Sequence, residues 1–254
     1  GALGYLALKG FKLLKLFKVA KIASSAGSML LSVAAYSLIY GWRYAAGFIF
    51  LLFCHELGHY LAARQRGLAV SLPTFIPFVG AWIELKDALP DARTEAIIGV
   101  AGPLMGTTAA VIVYGFALLM NSDLLLALAY AGFFLNLFNL VPVTPLDGGR
   151  ITAVVSPRIW LIGAPILVAL FFRHPNPLLI MIAIVAVPQI IDSFKKQDDA
   201  TRAYYATPLL DRLGFGVLYL LLVGFLAFAC HELHQDLESR HCAKGIGTCI
   251  SESQ

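Results

Sequence analysis

Charged side chains are scarce in this chain. Asp, Glu, Lys and Arg make up 13% of its 254 residues and hydrophobic residues 59%, where a water-soluble domain carries roughly one quarter charged. An ordinary soluble protein is thereby excluded, and the composition is that of an integral membrane protein. Cysteine is scarce as well, and four residues are too few for a disulfide framework. Cys54 and Cys230 fall in apolar runs and read as buried thiols. Cys242 and Cys249 stand in a polar C-terminal stretch and could pair if that stretch lies outside the cytosol. No linker divides the chain, and no basic groove can be traced, which argues against nucleic acid as a partner.

What the chain has is long apolar runs, at 26–42, 44–63, 97–119, 124–141, 159–172, 178–192 and 215–231. A helical span needs about 20 residues. The fifth and sixth runs are short and could form a hairpin that enters and leaves from one face. Ahead of the first run, Lys9, Lys12, Lys15, Lys18 and Lys21 alternate with leucines and phenylalanines, the pattern of a basic amphipathic helix on an anionic membrane surface. The expected organisation is a surface helix over 1–25, a membrane core over 26–192, a loop over 193–214, a further span over 215–231 and a polar tail over 232–254.

Charge orients these segments. With the N-terminus in the cytosol, fifteen of the nineteen Lys and Arg residues fall on the cytosolic side, and only Arg43, Arg173, Arg240 and Lys244 fall opposite. Such a bias is the positive-inside pattern. It favours a bacterial inner membrane, with the tail on the far side. Between the second and third runs, Val70-Ser71-Leu72 and Thr74-Phe75-Ile76 alternate, Pro77 to Gly80 offers a turn, and Ala81 to Leu85 follows. This predicts a short β-hairpin at the cytosolic face, with Pro73 and Pro77 suited to an edge. The fold class expected is therefore an all-α polytopic membrane protein of six core helices and a seventh span, with one small hairpin.

The second run holds His55-Glu56-Leu57-Gly58-His59. At about 100° per residue, the two imidazoles lie one turn apart on one helix face, the arrangement that binds one zinc ion, while Glu56 stands beside that face. A catalytic zinc takes three protein ligands and leaves a position for water, so a third ligand is required. A third histidine six residues after His59 is absent, because Gln65 is there. Glu84 falls in the expected hairpin and not on a helix. Asp147 is better placed. It lies in Pro142-Val143-Thr144-Pro145-Leu146-Asp147-Gly148-Gly149, an irregular end to the fourth run, which reaches the same side of the membrane as the zinc helix. An acid near membrane depth is a functional candidate by default. Asn136 and Asn139 share one face of that run. Gly102 and Gly106 in the third run have the spacing that lets helices approach closely, and Pro103 is expected to bend or begin a helical piece. In the tail, His231-Glu232-Leu233-His234 is one residue short of the zinc pattern and reads as a decoy.

Taken together, His55-Glu56-Leu57-Gly58-His59, Ala101-Gly102-Pro103 with Gly106, and Asn139-x-x-Pro142-x-x-Pro145-Leu146-Asp147-Gly148-Gly149 resemble the site-2 protease family of intramembrane zinc metalloproteases, over residues 28–192. The resemblance implies a zinc cofactor held by His55, His59 and Asp147, with Glu56 as general base for a zinc-activated water. It also implies that Asn139 positions the substrate backbone and that the substrates are single-span proteins in the bilayer. Many members carry a PDZ or CBS domain, for which this chain has no room, so it resembles a minimal form. Two other readings stand beside this one. One is a divalent-metal transporter or sensor using His55, His59, Asp147 and Glu232. The other is a catalytically silent scaffold of the same fold, against which the intact Glu56 argues.

Overall fold

A computed structural model describes residues 2–173, 177–194 and 198–243. Helix α1 (Ala2–Tyr40) and helix α2 (Trp42–Gln65) are separated by Gly41 alone, whose φ of +81° lies in the left-handed region that favours glycine. Helix α1 is continuous from Ala2 to Tyr40, across the position of the expected division near residue 25. Of its lysine face, the side chains of Lys9, Lys12, Lys15 and Lys18 lie outside the described residues. Helix α3 (Ala92–Met120) starts where the Asp91 carboxylate accepts a hydrogen bond from the Thr94 amide at 2.6 Å, and stops at Asn121, which adopts a left-handed conformation; both are standard terminal devices. Helix α3 runs through Pro103 and does not begin there. Packing holds the helix on either side, with Gly99 against α5 and Gly102 against α2.

Helix α4 (Asp123–Asn139) is followed by an irregular turn with a cis Thr144–Pro145 bond, and then by the short helix α5 (Asp147–Val155). Gly148 and Gly149 lie directly on the turn's backbone, where a Cβ would overlap Leu140 and Val141 or Val143 and Thr144. Helices α6 (Trp160–Arg173) and α7 (Pro177–Phe194) pack on one another and on Val143 and Leu146 of the turn. After α8 (Asp199–Tyr204), whose Tyr204 hydroxyl donates to Glu95 at 2.7 Å, comes α9 (Leu209–Ala243). The last span and the start of the expected polar tail thus form one helix. His231 and His234 sit on it, with Gln235 and Glu238 as their respective partners, and contribute to no metal-ligand group among the described residues. The expected Cys242–Cys249 pairing involves Cys249, outside the described residues.

Four helical stretches, Lys21–Tyr40, Trp42–Gln65, Ala92–Met120 and Leu209–Arg240, are long and apolar enough to cross a membrane, as expected of an integral membrane protein. Their burial ranks them. The apolar windows of α2 and α3 are 56% and 50% buried, and those of α1 and α9 only 6% and 11%, so α2 and α3 form the centre while α1 and α9 turn most of their surface outward. Helix α3 packs on α2, α4 and α5, which brings segments distant in sequence to one point.

Strands β1 (Thr74–Ile76) and β2 (Gly80–Trp82) form the expected antiparallel hairpin, with Phe75 opposite Ala81. Phe75 packs against Ile49 and Leu52 of α2, and Phe78 at the turn meets the Tyr36 ring at a centroid distance of 4.8 Å, while Tyr36 in turn meets Phe48 at 5.4 Å. Leu52 precedes His55 by about one helical turn, so Phe75 packs next to the His55 turn. The outer edge of β1 is met by α1: the Phe75 amide donates to the Ser28 hydroxyl at 3.1 Å, and the Ser25 hydroxyl donates to the Pro73 carbonyl at 2.5 Å.

Candidate metal centre

His55 and His59 lie on the buried side of α2 because helical spacing puts them one turn apart and the flanking Leu51, Leu52, Ala62 and Ala63 are themselves buried. Asp147, the first residue of α5, is carried to them by the turn after α4. All three are buried, at 2%, 4% and 6% exposure respectively. The Asp147 Oδ2 atom lies 3.1 Å from His55 Nε2 and 3.2 Å from His59 Nε2, and the two Nε2 atoms lie 3.1 Å apart. Glu84, the other acid considered from sequence, is exposed and outside this group.

The remaining ring nitrogens settle the protonation. His59 Nδ1 is 2.7 Å from the Ile98 carbonyl oxygen, which can only accept, so the proton of a neutral ring resides on Nδ1. His55 Nδ1 is 2.8 Å from Asn136 Oδ1, and the Asn136 Nδ2 is turned away to donate to the Gly132 carbonyl at 2.7 Å. Both Nε2 atoms therefore present lone pairs, and Asp147 Oδ2 has no hydrogen-bond partner. Three buried acceptors face one another without a proton between them. Such a cluster is unfavourable unless a cation joins it. Tetrahedral zinc with bonds of about 2.0–2.1 Å would set its ligand atoms about 3.3 Å apart, close to the three separations found here. The donor set and its spacing fit a divalent metal with two imidazoles and one carboxylate.

Glycines make the room for this group. A Cβ on Gly102 would fall on the imidazole of His59, one on Gly106 would fall on the Asn136 amide, and one on Gly58 would overlap the Ala101 carbonyl. The small-residue spacing read as helix packing thus leaves room for the His59 ring and for the Asn136 amide. Glu56 is buried beside the trio, among the titratable groups of His55, Asp147 and Arg150. Asn139 is half-buried at the end of α4, its Nδ2 donating to Leu135 of its own helix at 3.0 Å. Asn136, placed with Asn139 on one face from the sequence, was given no role there. Its signal was an amide in a predominantly apolar helix, which must find a partner inside the protein.

Residues 43–123 match the model of Peptidase family M50. The chain is 36% identical over 84 residues to "Probable zinc metalloprotease EGY1, chloroplastic" of Arabidopsis thaliana, covering 31% of this chain and 15% of that protein. The protein of the same name from Oryza sativa subsp. japonica is 36% identical over 84 residues, 31% of this chain and 14% of the relative. "Zinc metalloprotease MJ0392" of Methanocaldococcus jannaschii is 32% identical over 109 residues, covering 41% of this chain and 31% of the relative. The chain spans less than a third of the length of these curated relatives. The family match includes His55, Glu56 and His59 and ends before Asp147. These matches bear out the resemblance to the site-2 protease family read from the motifs.

Proposed function

We propose that this chain is a zinc-dependent intramembrane endopeptidase of the site-2 protease type, hydrolysing peptide bonds of single-span membrane proteins. The observation that carries the reading is the convergence of His55 Nε2, His59 Nε2 and Asp147 Oδ2, three buried acceptors within 4.8 Å of one another, with Glu56 alongside. His55, His59 and Asp147 would hold the metal. Zinc bound there would supply Lewis acidity, acidifying a water and polarising the scissile carbonyl. The Glu56 carboxylate accepts the proton of the attacking water and returns it to the leaving nitrogen. The Asn136 amide and the Ile98 carbonyl hold the two imidazoles in the tautomer that turns Nε2 toward the metal. Asn139, at the end of α4, is the residue assigned to the substrate backbone. Peptide bonds in an intact helix are already hydrogen-bonded, so the substrate must unwind before Glu56 can act on it. The charge distribution puts the N-terminus in the cytosol and the site's opening toward that side.

The metal-transporter reading lacks support. A conduction path needs donors at successive depths, whereas the ligand group found among the described residues is single and compact. Chelation tests the protease reading directly. Protein reconstituted with a single-span substrate should lose cleavage after treatment with a strong chelator and regain it on zinc addition; cleavage unaffected by metal removal would sink the proposal.

Asn136→Leu keeps the branching and heavy-atom count of the side chain while removing the acceptor for His55 Nδ1. Outer-shell partners of this kind typically contribute 10–100-fold to metal affinity. We expect zinc affinity, measured by competition with a chromogenic chelator, to fall by about that factor, and Asn136→Asp to retain it. Equal affinity of wild type and Asn136→Leu would show that the amide does not orient the ligand.

A further inference from the structure

A second polar feature lies at the opposite end of α5 from Asp147. A cavity of ≈ 360 Å³ is bounded by the C-terminal turn of α5 through Ser156, by α8 and by the first turn of α9. Two guanidinium groups, of Arg202 and Arg212, line it, and no carboxylate does. Of the acids nearest in sequence, Asp198 accepts from the Thr201 amide at 2.9 Å, and Asp199 is the one that meets a cavity arginine. Asp211 pairs with Arg93 at 2.9 Å, and Asp199 touches Arg202 at 3.3 Å from a fully exposed position, a water-screened contact of little strength. The C-terminal carbonyls of α5 contribute about half a negative charge at most, which two guanidiniums exceed.

Arg212 is incompletely satisfied. Its Nη2 donates to the Tyr205 carbonyl at 3.3 Å, while its Nε is buried with no hydrogen-bond partner. A buried, unpaired donor of a permanently charged group calls for an acceptor. The surroundings indicate where that acceptor comes from. Leu209, Leu210 and Leu213, flanking Arg212 on α9, are 71%, 82% and 58% exposed, the surface of a helix entering hydrocarbon. The cavity therefore sits where polar headgroups lie, with apolar side chains beside it to meet acyl chains.

We propose that this cavity binds a phosphate group presented by an anionic phospholipid headgroup, with Arg212 Nε and the Arg202 guanidinium as donors. An occupied cavity holds the end of the helix whose first residue is Asp147, coupling the lipid surface to the metal centre. The proposal is independent of peptide hydrolysis and is tested without it. The full chain would be placed in nanodiscs of phosphatidylcholine, or of an equimolar mixture of phosphatidylcholine and phosphatidylglycerol. Co-purified lipid would be measured by native mass spectrometry and the unfolding temperature by a thermal scan. Wild type should retain phosphatidylglycerol preferentially and unfold at a higher temperature in the mixture. The double variant Arg202→Gln/Arg212→Gln should lower that preference by about thirtyfold, and Arg202→Gln alone, a change at a largely exposed side chain, by several-fold. Arg158→Gln, an exposed charge outside the cavity, should change nothing. Equal retention by wild type and both cavity variants, or equal losses in Arg158→Gln, would overturn the site. Inorganic phosphate added to phosphatidylcholine nanodiscs separates the sources, and a full stabilisation by it would overturn the lipid as the donor of the phosphate.

Discussion

Asp147→Ala should leave the protein without zinc, whereas Glu56→Gln should leave it fully loaded and inert. The two side chains stand beside the same pair of imidazoles, yet their proposed roles separate cleanly. Asp147 Oδ2 lies within 3.2 Å of both Nε2 atoms and has no other partner; it is the only anionic member of the ligand group. Removing it leaves a dication in a buried pocket with two neutral ligands, and the cost of desolvating that charge is no longer offset. Zinc content measured by elemental mass spectrometry should fall to background. Undiminished zinc in Asp147→Ala would return the third-ligand question to Glu84 or another group. Glu56→Gln preserves shape and touches none of the three ligand atoms, so zinc should remain. Loss of a general base alone typically costs 10²–10⁴ in rate, and cleavage of a reconstituted substrate should drop by at least that factor. Equal cleavage by wild type and Glu56→Gln would remove Glu56 from the mechanism.

Gly102→Ala, the addition of one methyl group, should be nearly as damaging as the loss of a ligand. A Cβ at that position coincides with the His59 ring. The ring cannot swing aside freely, because Nδ1 is bonded to the Ile98 carbonyl at 2.7 Å, and the same helix, α3, carries both Ile98 and Gly102. Either the His59 bond breaks and Nε2 leaves the metal position, or α2 and α3 separate where they pack most closely. Overpacking a close-packed interior costs about 1–3 kcal/mol, and displacement of one of three ligands should lower zinc affinity by at least the 10–100-fold expected when an outer-shell partner is lost. Gly115→Ala is the internal control. It lies on the same helix with no atom within 4 Å of the added Cβ, and replacing a helical glycine with alanine favours the helix by about 0.8–1.0 kcal/mol. Matching behaviour of the two variants in zinc affinity and unfolding temperature would show that Gly102 is not shaped around His59.

Several features were legible because they are periodic or local. His55 and His59 are one helical turn apart whatever the helix packs against, and apolar runs of membrane length announce themselves. The hairpin was readable from alternation about Pro77 and Gly80, and the structure pairs Phe75 with Ala81 there. Element ends were harder. The lysine-rich N-terminal stretch and the first apolar run differ in composition but not in helical propensity, so α1 is continuous through both. Polar residues after 231 likewise continue α9 to Ala243, because Glu, Gln, Leu and Arg are good helix formers in water as well as in lipid.

The sequence by itself determined the class of protein, the histidine pair on one face of α2 and the candidacy of Asp147, since each depends on spacing along one element or on the scarcity of acids in apolar surroundings. Tertiary structure alone decided which amide serves which ring. Asn136 and Asn139 are three residues apart and so about 60° apart around α4. Nothing within α4 states which of the two directions faces α2, and the packing of α3 between its neighbours turns Asn136 toward His55 at 2.8 Å. The same holds for Gly102 and Gly106. Their spacing reports that something comes close, but the identity of what fills the space, the His59 ring and the Asn136 amide, is a property of the partner helices, which the local pattern does not encode.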